Sequence, residues 1–163
     1  MASAGNAGKM VTTLRGPELD EFGGAIGEGA VRTIRAPWRA ASVARVRRAI
    51  VADLMARDLP QDLVYEAEIV ASELVSNAIR HARPLADGTV RVRWKVKGEA
   101  VEVEVTDAGG ETPPRPAPRV LWATSGRGLR IVRSVAHEWG VADDKGNVTV
   151  WAALGGPSRR RGN

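Results

Sequence analysis

Two neighbouring stretches alternate with period two, and they constrain the fold more than anything else in the chain. Thr89 to Lys97 (TVRVRWKVK) places Val90, Val92, Trp94 and Val96 on one side and the cations on the other. After Gly98-Glu99, Ala100 to Thr106 (AVEVEVT) alternates again. The spacing predicts an antiparallel hairpin with one buried face. An apolar sheet face has to be covered, and helices from the preceding segment are the available cover.

Two helices are predicted there. In Ser42 to Leu59, Val43, Val46, Ile50 and Leu54 recur at three and four. Arg45, Arg47, Arg48 and Arg57 fall elsewhere. They read as a solvated face, with a partner surface as the second reading. Pro60 is expected to end this helix and Asp62 to cap the next. Glu66 to Arg83 (EAEIVASELVSNAIRHAR) is rich in helix formers and free of Gly and Pro until Pro84 stops it. Glu73 and Asn77 are four apart, so they share a face of this helix. Asn is a poor residue inside a helix, because its side chain competes for backbone hydrogen bonds. A carboxylate beside a neutral oxygen donor is what a magnesium-nucleotide site needs. Taken alone, the pair reads first as a surface Glu and a tolerated Asn on an amphipathic helix; the rest of the chain changes that.

The rest of the chain supplies edges and loops. Residues 1–29 are rich in Gly, Ala and Ser, lack periodicity, and read as a flexible extension. Ala30 to Arg35 should be a strand, broken at Pro37. The hairpin's second strand runs into Asp107-Ala108-Gly109-Gly110. Glu111 to Ser125 holds four prolines and no regular pattern, and a loop of that length in a compact domain is usually functional or disordered. It ends in Gly126-Arg127-Gly128, ahead of an apolar helical pattern at Leu129, Ile131, Val132 and Val135. Glycines at a helix start can form an anion site, or simply an ordinary capped turn. Trp139 to Ala142 and Asn147 to Leu154 read as two strands around an Asp143-to-Gly146 turn, with Val148, Val150 and Ala152 on the buried side. Residues 155–163 are a basic tail.

Composition narrows the chemistry. The chain has 163 residues, 44% of them hydrophobic and 26% charged, which suits one globular domain. There is no cysteine, which removes disulfides and thiolate chemistry, and only His81 and His137 are available as imidazole ligands. No apolar run reaches the ~20 residues of a membrane span, and no signal peptide is visible, so a cytoplasmic location is expected and no membrane partner. The net charge of +5 is owed largely to Arg159, Arg160 and Arg161. The mildly basic middle suits an anionic ligand such as a nucleotide. No nucleic-acid motif accompanies it, so no direct nucleic-acid contact is expected.

Strand, helix, Glu/Asn helix, two strands, Asp-x-Gly, long loop, Gly-x-Gly, helix and two strands is an order that resembles the Bergerat-type (GHKL, histidine-kinase-like) ATP-binding fold. It looks most like the family's anti-sigma-factor serine kinase branch. The resemblance covers residues 30–154. Glu73-Leu74-Val75-Ser76-Asn77-Ala78 with His81 matches the family's N box. Asp107-Ala108-Gly109 matches its adenine motif, and Gly126-Arg127-Gly128-Leu129 its second glycine motif. Thr149 matches its late threonine. Glu111 stands where the fuller Asp-x-Gly-x-Gly pattern has its last glycine. The resemblance implies an α+β, two-layer sandwich: a mixed, mainly antiparallel sheet covered on one face by helices, with an ATP lid loop.

Carried over, the resemblance makes Asn77 a Mg²⁺ ligand and Glu73 the general base. Asp107 would accept from the adenine amino group, with Gly109 allowing close approach. Gly126, Arg127, Gly128 and Leu129 would cradle phosphates, Thr149 would support the adenine site, and His81 would either touch the nucleotide or stay structural. ATP and Mg²⁺ are the implied ligands. A sigma factor and an anti-anti-sigma-like protein are the implied partners, and homodimerisation stays open. Two function classes follow: a protein serine/threonine kinase, or a non-catalytic module that grips a regulatory partner when ATP is bound. A nucleic-acid binder using Arg45, Arg47 and Arg48 ranks below both.

Overall fold

The computed structural model describes residues 16–110 and 127–156. Strand β1 (Val31–Pro37) leads into helices α1 (Ala41–Met55) and α2 (Gln61–His81). The hairpin β2 (Thr89–Lys97) and β3 (Ala100–Asp107) follows, then helix α3 (Arg127–Val135) and a second hairpin, β4 (Glu138–Asp144) and β5 (Asn147–Gly155). The strands form one sheet in the order β1-β2-β3-β5-β4, and all of these ladders are antiparallel. β5 therefore lies between β3 and β4, which places the last strand next to the Asp107 end of β3. The architecture is the expected α+β sandwich of one sheet and one helical layer.

The period-two reading decides which face is buried. Val90, Val92 and Trp94 of β2 and Val101, Val103 and Val105 of β3 are buried together with Ala152 and Leu154 of β5. They meet an apolar stripe on α2 formed by Ala67, Val70, Ala71, Leu74, Val75 and Ala78. Val46, Ile50 and Leu54 of α1 and Val132 of α3 complete this core. Helix α1 lies beside β1, α2 crosses the middle strands, and α3 packs against α2. Ile131, expected on the apolar side of its helix, is exposed instead.

Two expected boundaries move, for backbone reasons. Helix α1 stops at Met55 rather than Leu59, because Asp58 adopts a left-handed conformation (φ 53°) that turns the chain before Pro60. Asp62 does not cap α2. Pro60 occupies the cap with an extended backbone, and its carbonyl accepts from Leu63 N at 3.0 Å. The β4–β5 turn is a tight one: Lys145 (φ 53°) and Gly146 (φ 87°) are both left-handed, as a two-residue type I′ hairpin turn requires.

The larger correction concerns residues 16–29, read above as part of a flexible extension. They form a strap against α1 and β1. Asp20 accepts from the backbone N–H groups of Phe22 (2.8 Å) and Gly24 (3.1 Å), and Leu19 bridges Ala25. Phe22 packs on the core under the Arg45 guanidinium, and Glu21 pairs with Arg45 and Arg48. Beneath the strap, buried Arg32 pairs with Asp20, donates to the Ala25 carbonyl at 2.6 Å and lies over the Trp94 ring. Asp53 of α1 is the centre of this network. It is fully buried, and it accepts from Trp94 Nε1 (2.7 Å), Gly27 N (2.7 Å) and Arg57 Nε (3.0 Å). Arg57 also donates to the carbonyls of Glu28 and Gly29. Residues 1–15 and 157–163 fall outside the described residues. Among the described residues, no helix is long and apolar enough to cross a membrane.

Candidate functional site

The flank of α2 carrying Glu73 and Asn77 is half-buried. Its direction follows from the neighbouring helices. Glu68 meets Arg47 of α1 at 3.6 Å. Glu73 lies five residues on, about 140° further around the helix axis, so it faces away from α1 and toward the α3 side. Among the described residues, the Glu73 and Asn77 side chains enter no hydrogen bond or ion pair with one another or with a neighbour. Two polar side chains of this kind on a half-buried flank remain available to a ligand. His81, one turn beyond Asn77, is exposed.

The end of α2 is fastened to the end of β3. Ala82 closes the helix with a bond to the Ala78 carbonyl, and Arg83-Pro84 turns the chain away. Arg83 N then donates to the Gly109 carbonyl at 3.0 Å, and Ala108 N donates to the Arg83 carbonyl at 2.9 Å. Arg83 Nε adds a longer bond to the same Gly109 oxygen at 3.4 Å. Nearby, a Cβ added to Gly110 would sit 3.1 Å from the His81 carbonyl. The Asp-Ala-Gly-Gly turn and the last turn of the Glu/Asn helix therefore form one unit. Nothing in the sequence pattern singled out Arg83, because its bonds, mostly through backbone atoms, run to Ala108 and Gly109, far along the chain.

Asp107 is a strained carboxylate by environment. It sits at the end of β3, buried, with its Oδ1 accepting from Gly109 N at 2.7 Å. Burial pushes its pKa up to about 6, against the pull of that one hydrogen bond. A buried acid with spare acceptor capacity is suited to an N–H donor arriving from a ligand. Gly109 is required twice over. Its φ of +75° is left-handed, and a Cβ there would lie 3.3 Å from the Gly146 carbonyl.

Thr149 is not brought to this site. In the β3–β5 ladder Asp107 pairs with Val148, while Thr149 pairs with Thr106. Thr149 therefore points to the opposite face of the sheet, where its Oγ1 lies 2.8 Å from Thr106 Oγ1. Val148 occupies the place beside Asp107, with its Cγ2 3.4 Å from where a Gly109 Cβ would be. The alternation already contained this answer: if Val148 and Val150 face the core, Thr149 cannot.

Helix α3 begins at Arg127, and Gly128 lies in its first turn. The expected phosphate loop thus leads into a helix N-terminus. Gly126, the loop 111–125 expected to be a lid, and the side chains of Arg127 and Leu129 lie outside the described residues. Among the described residues no group of three or more His, Asp or Glu side chains could hold a metal ion unaided. A cation here would take single oxygens from the protein and the rest from a ligand.

The family model of the histidine kinase-like ATPase domain matches residues 36–153, and the chain belongs to that family. Its domain is an ATP-binding one. Among the solved structures similar to it is the crystal structure of the RsbU and RsbW domains of Rv1364c from Mycobacterium tuberculosis, with a TM-score of 0.59 and 19% identity. That match covers 79% of this chain and 34% of the other, so the chain spans about a third of that protein's length, and at this identity the likeness is one of fold. No curated protein matches the chain.

Proposed function

We propose that this domain is a regulatory protein serine/threonine kinase of the anti-sigma-factor type, which transfers the ATP γ-phosphoryl group to a serine of a partner protein. The observation that carries the reading is the fastening of the Asp107–Gly110 turn to the end of the helix bearing Glu73 and Asn77. An adenine held by Asp107 and phosphates lying along α2 would then share one rigid frame. Asp107 would accept from the adenine amino group, and the start of α3 would offer backbone N–H groups to phosphate oxygens. The donor set fits Mg²⁺: Asn77 would supply one neutral oxygen, and the ion would neutralise phosphate charge when bound. Glu73, one turn away, would accept the proton of the attacking serine hydroxyl. The partners would be a sigma factor and its phosphorylatable antagonist, as the resemblance to the anti-sigma-factor kinase branch implies.

The test is calorimetric titration of Mg-ATP into the wild type, Asn77→Ala and Glu73→Gln. Asn77→Ala is expected to weaken magnesium-dependent binding by roughly 1–3 kcal/mol. Glu73→Gln is expected to keep binding and to lose phosphoryl transfer. Unchanged transfer by Glu73→Gln would remove the proposed base. Binding without transfer by the wild type, with partner capture that requires ATP, would establish the non-catalytic module instead.

A further inference from the structure

The face of the sheet turned away from the helices carries a second constellation, which the ATP site does not use. The register assembles it in rows. Arg35, Arg91, Thr106, Thr149 and Ala142 lie side by side across the five strands. The next row holds Thr33, Arg93, Glu104, Trp151 and Gly140. Among the described residues most cations on this face are matched to acids; the exceptions are Lys97, exposed at the strand end, and Arg91. Arg35 pairs with Asp87 at 2.7 Å, Arg93 with Glu104 at 3.7 Å, and Lys95 with both Glu102 and Glu104. Arg91, half-buried in the middle of the sheet, has no carboxylate partner among the described residues. It sits directly across from Arg35, an arrangement that costs stability. Its one side-chain hydrogen bond among the described residues is a long one to the Thr106 hydroxyl at 3.3 Å, and that hydroxyl is already shared with Thr149.

An apolar platform lies on the same face, two strands over and one row along. The Trp151 ring lies so close over Gly140 that a Cβ there would fall 2.7 Å from Trp151 Nε1. Gly140 thus lets a large half-exposed aromatic surface lie flat on the sheet, with Ala142 and Ala153 beside it. A guanidinium short of an anion and an aromatic platform on one face are the residue types enriched at protein interfaces.

We infer that this outer sheet face docks a partner-protein segment that places a carboxylate on Arg91 and an apolar side chain on Trp151. The planar guanidinium can grip a carboxylate with two parallel bonds, and the Thr106–Thr149 pair can supply a hydroxyl. Charge on the same face argues against nucleic acid, because Glu102, Glu104 and Glu138 would meet its phosphates. The inference is independent of the nucleotide reading, since Arg91 and Trp151 lie on the other side of the sheet from Asp107.

The probe is a displayed library of random twelve-residue peptides, selected on the full chain without nucleotide. Selected peptides are expected to carry Asp or Glu within three positions of Leu, Phe or Met. Arg91→Glu and Trp151→Ala are each expected to lower their affinity roughly 30-fold, the size of an interface hot spot. Circular dichroism and Mg-ATP titration verify that each variant is folded. Arg91→Gln provides a milder second variant if Trp151→Ala does not fold. Selected peptides without acidic residues, or peptides that bind Arg91→Glu and Arg91→Gln as well as the wild type, would overturn the inference. So would sedimentation showing a wild-type dimer that Arg91→Glu dissolves, because the face would then receive a second copy of this chain.

Discussion

Asp53 and Asp107 are both buried acids, one at each end of the chain's argument, and their surroundings are opposite. Asp53 is wrapped: a tryptophan N–H, a backbone N–H and the Arg57 guanidinium all reach it, with Arg32 at 3.8 Å. Among the described residues Asp107 has one backbone N–H, and burial raises its pKa to about 6. A carboxylate whose acceptor positions are filled from within the fold serves the fold. One whose positions are left over is stabilised only when a donor arrives from outside. The same contrast separates the strapped side of the molecule, closed by residues 16–29, from the side where Glu73, Asn77 and Asp107 gather.

Removing each acid should therefore have effects of opposite sign. Asp53→Ala takes one acid from the Arg32 and Arg57 guanidiniums and leaves the buried Trp94 N–H without its acceptor, and is expected to cost about 3–5 kcal/mol in urea unfolding. A loss below about 1 kcal/mol would erase the distinction between the two acids. Asp107→Asn is expected to stabilise the ligand-free protein at pH 7.5, by at most about 3 kcal/mol for a shift from 3.8 to about 6, while abolishing nucleotide binding. The pH dependence has a definite sign. Below about pH 4 the acid is protonated in both folded and unfolded chains. As pH rises from about 4 to about 6 the unfolded chain ionises first, so this group's contribution to stability declines, then stays level. Unfolding curves across that range should show the decline in the wild type and a weaker one in Asp107→Asn. An identical slope in both would mean that Asp107 is not the group responsible. The smallest expected effect is that of Trp94→Phe. It keeps the aromatic core but removes one donor to Asp53, at about 1–2 kcal/mol, with nucleotide affinity unchanged.

Much of the candidate site was legible because it is local. Glu73 and Asn77 share a face by helical spacing, and Gly109 follows Asp107 within one turn. The two hairpins announced themselves by alternation, and β2 begins and ends where the pattern does. The strap was not legible, because residues 16–29 have no period of their own. They are ordered by side chains distant in sequence, such as Asp53, which takes Gly27 N from 26 positions away and Trp94 from 41. Thr149 shows a different failure. Its motif position suggested the adenine site, but period two, applied to its neighbours, assigns it to the other face.

By itself, then, the sequence determined the helices, the two hairpins and the buried face of the sheet, since each rests on periodicity within one element, and its motifs together carried the resemblance to the ATP-binding family. Tertiary structure alone decided that Asp53 is wrapped by donors while Asp107, among the described residues, keeps a single one. It also decided that the Asp107 turn is fastened to the end of α2, and that Arg91 and Trp151 share the sheet face turned away from the helices. Those outcomes depend on strand order and register, which bring together residues that no local pattern relates.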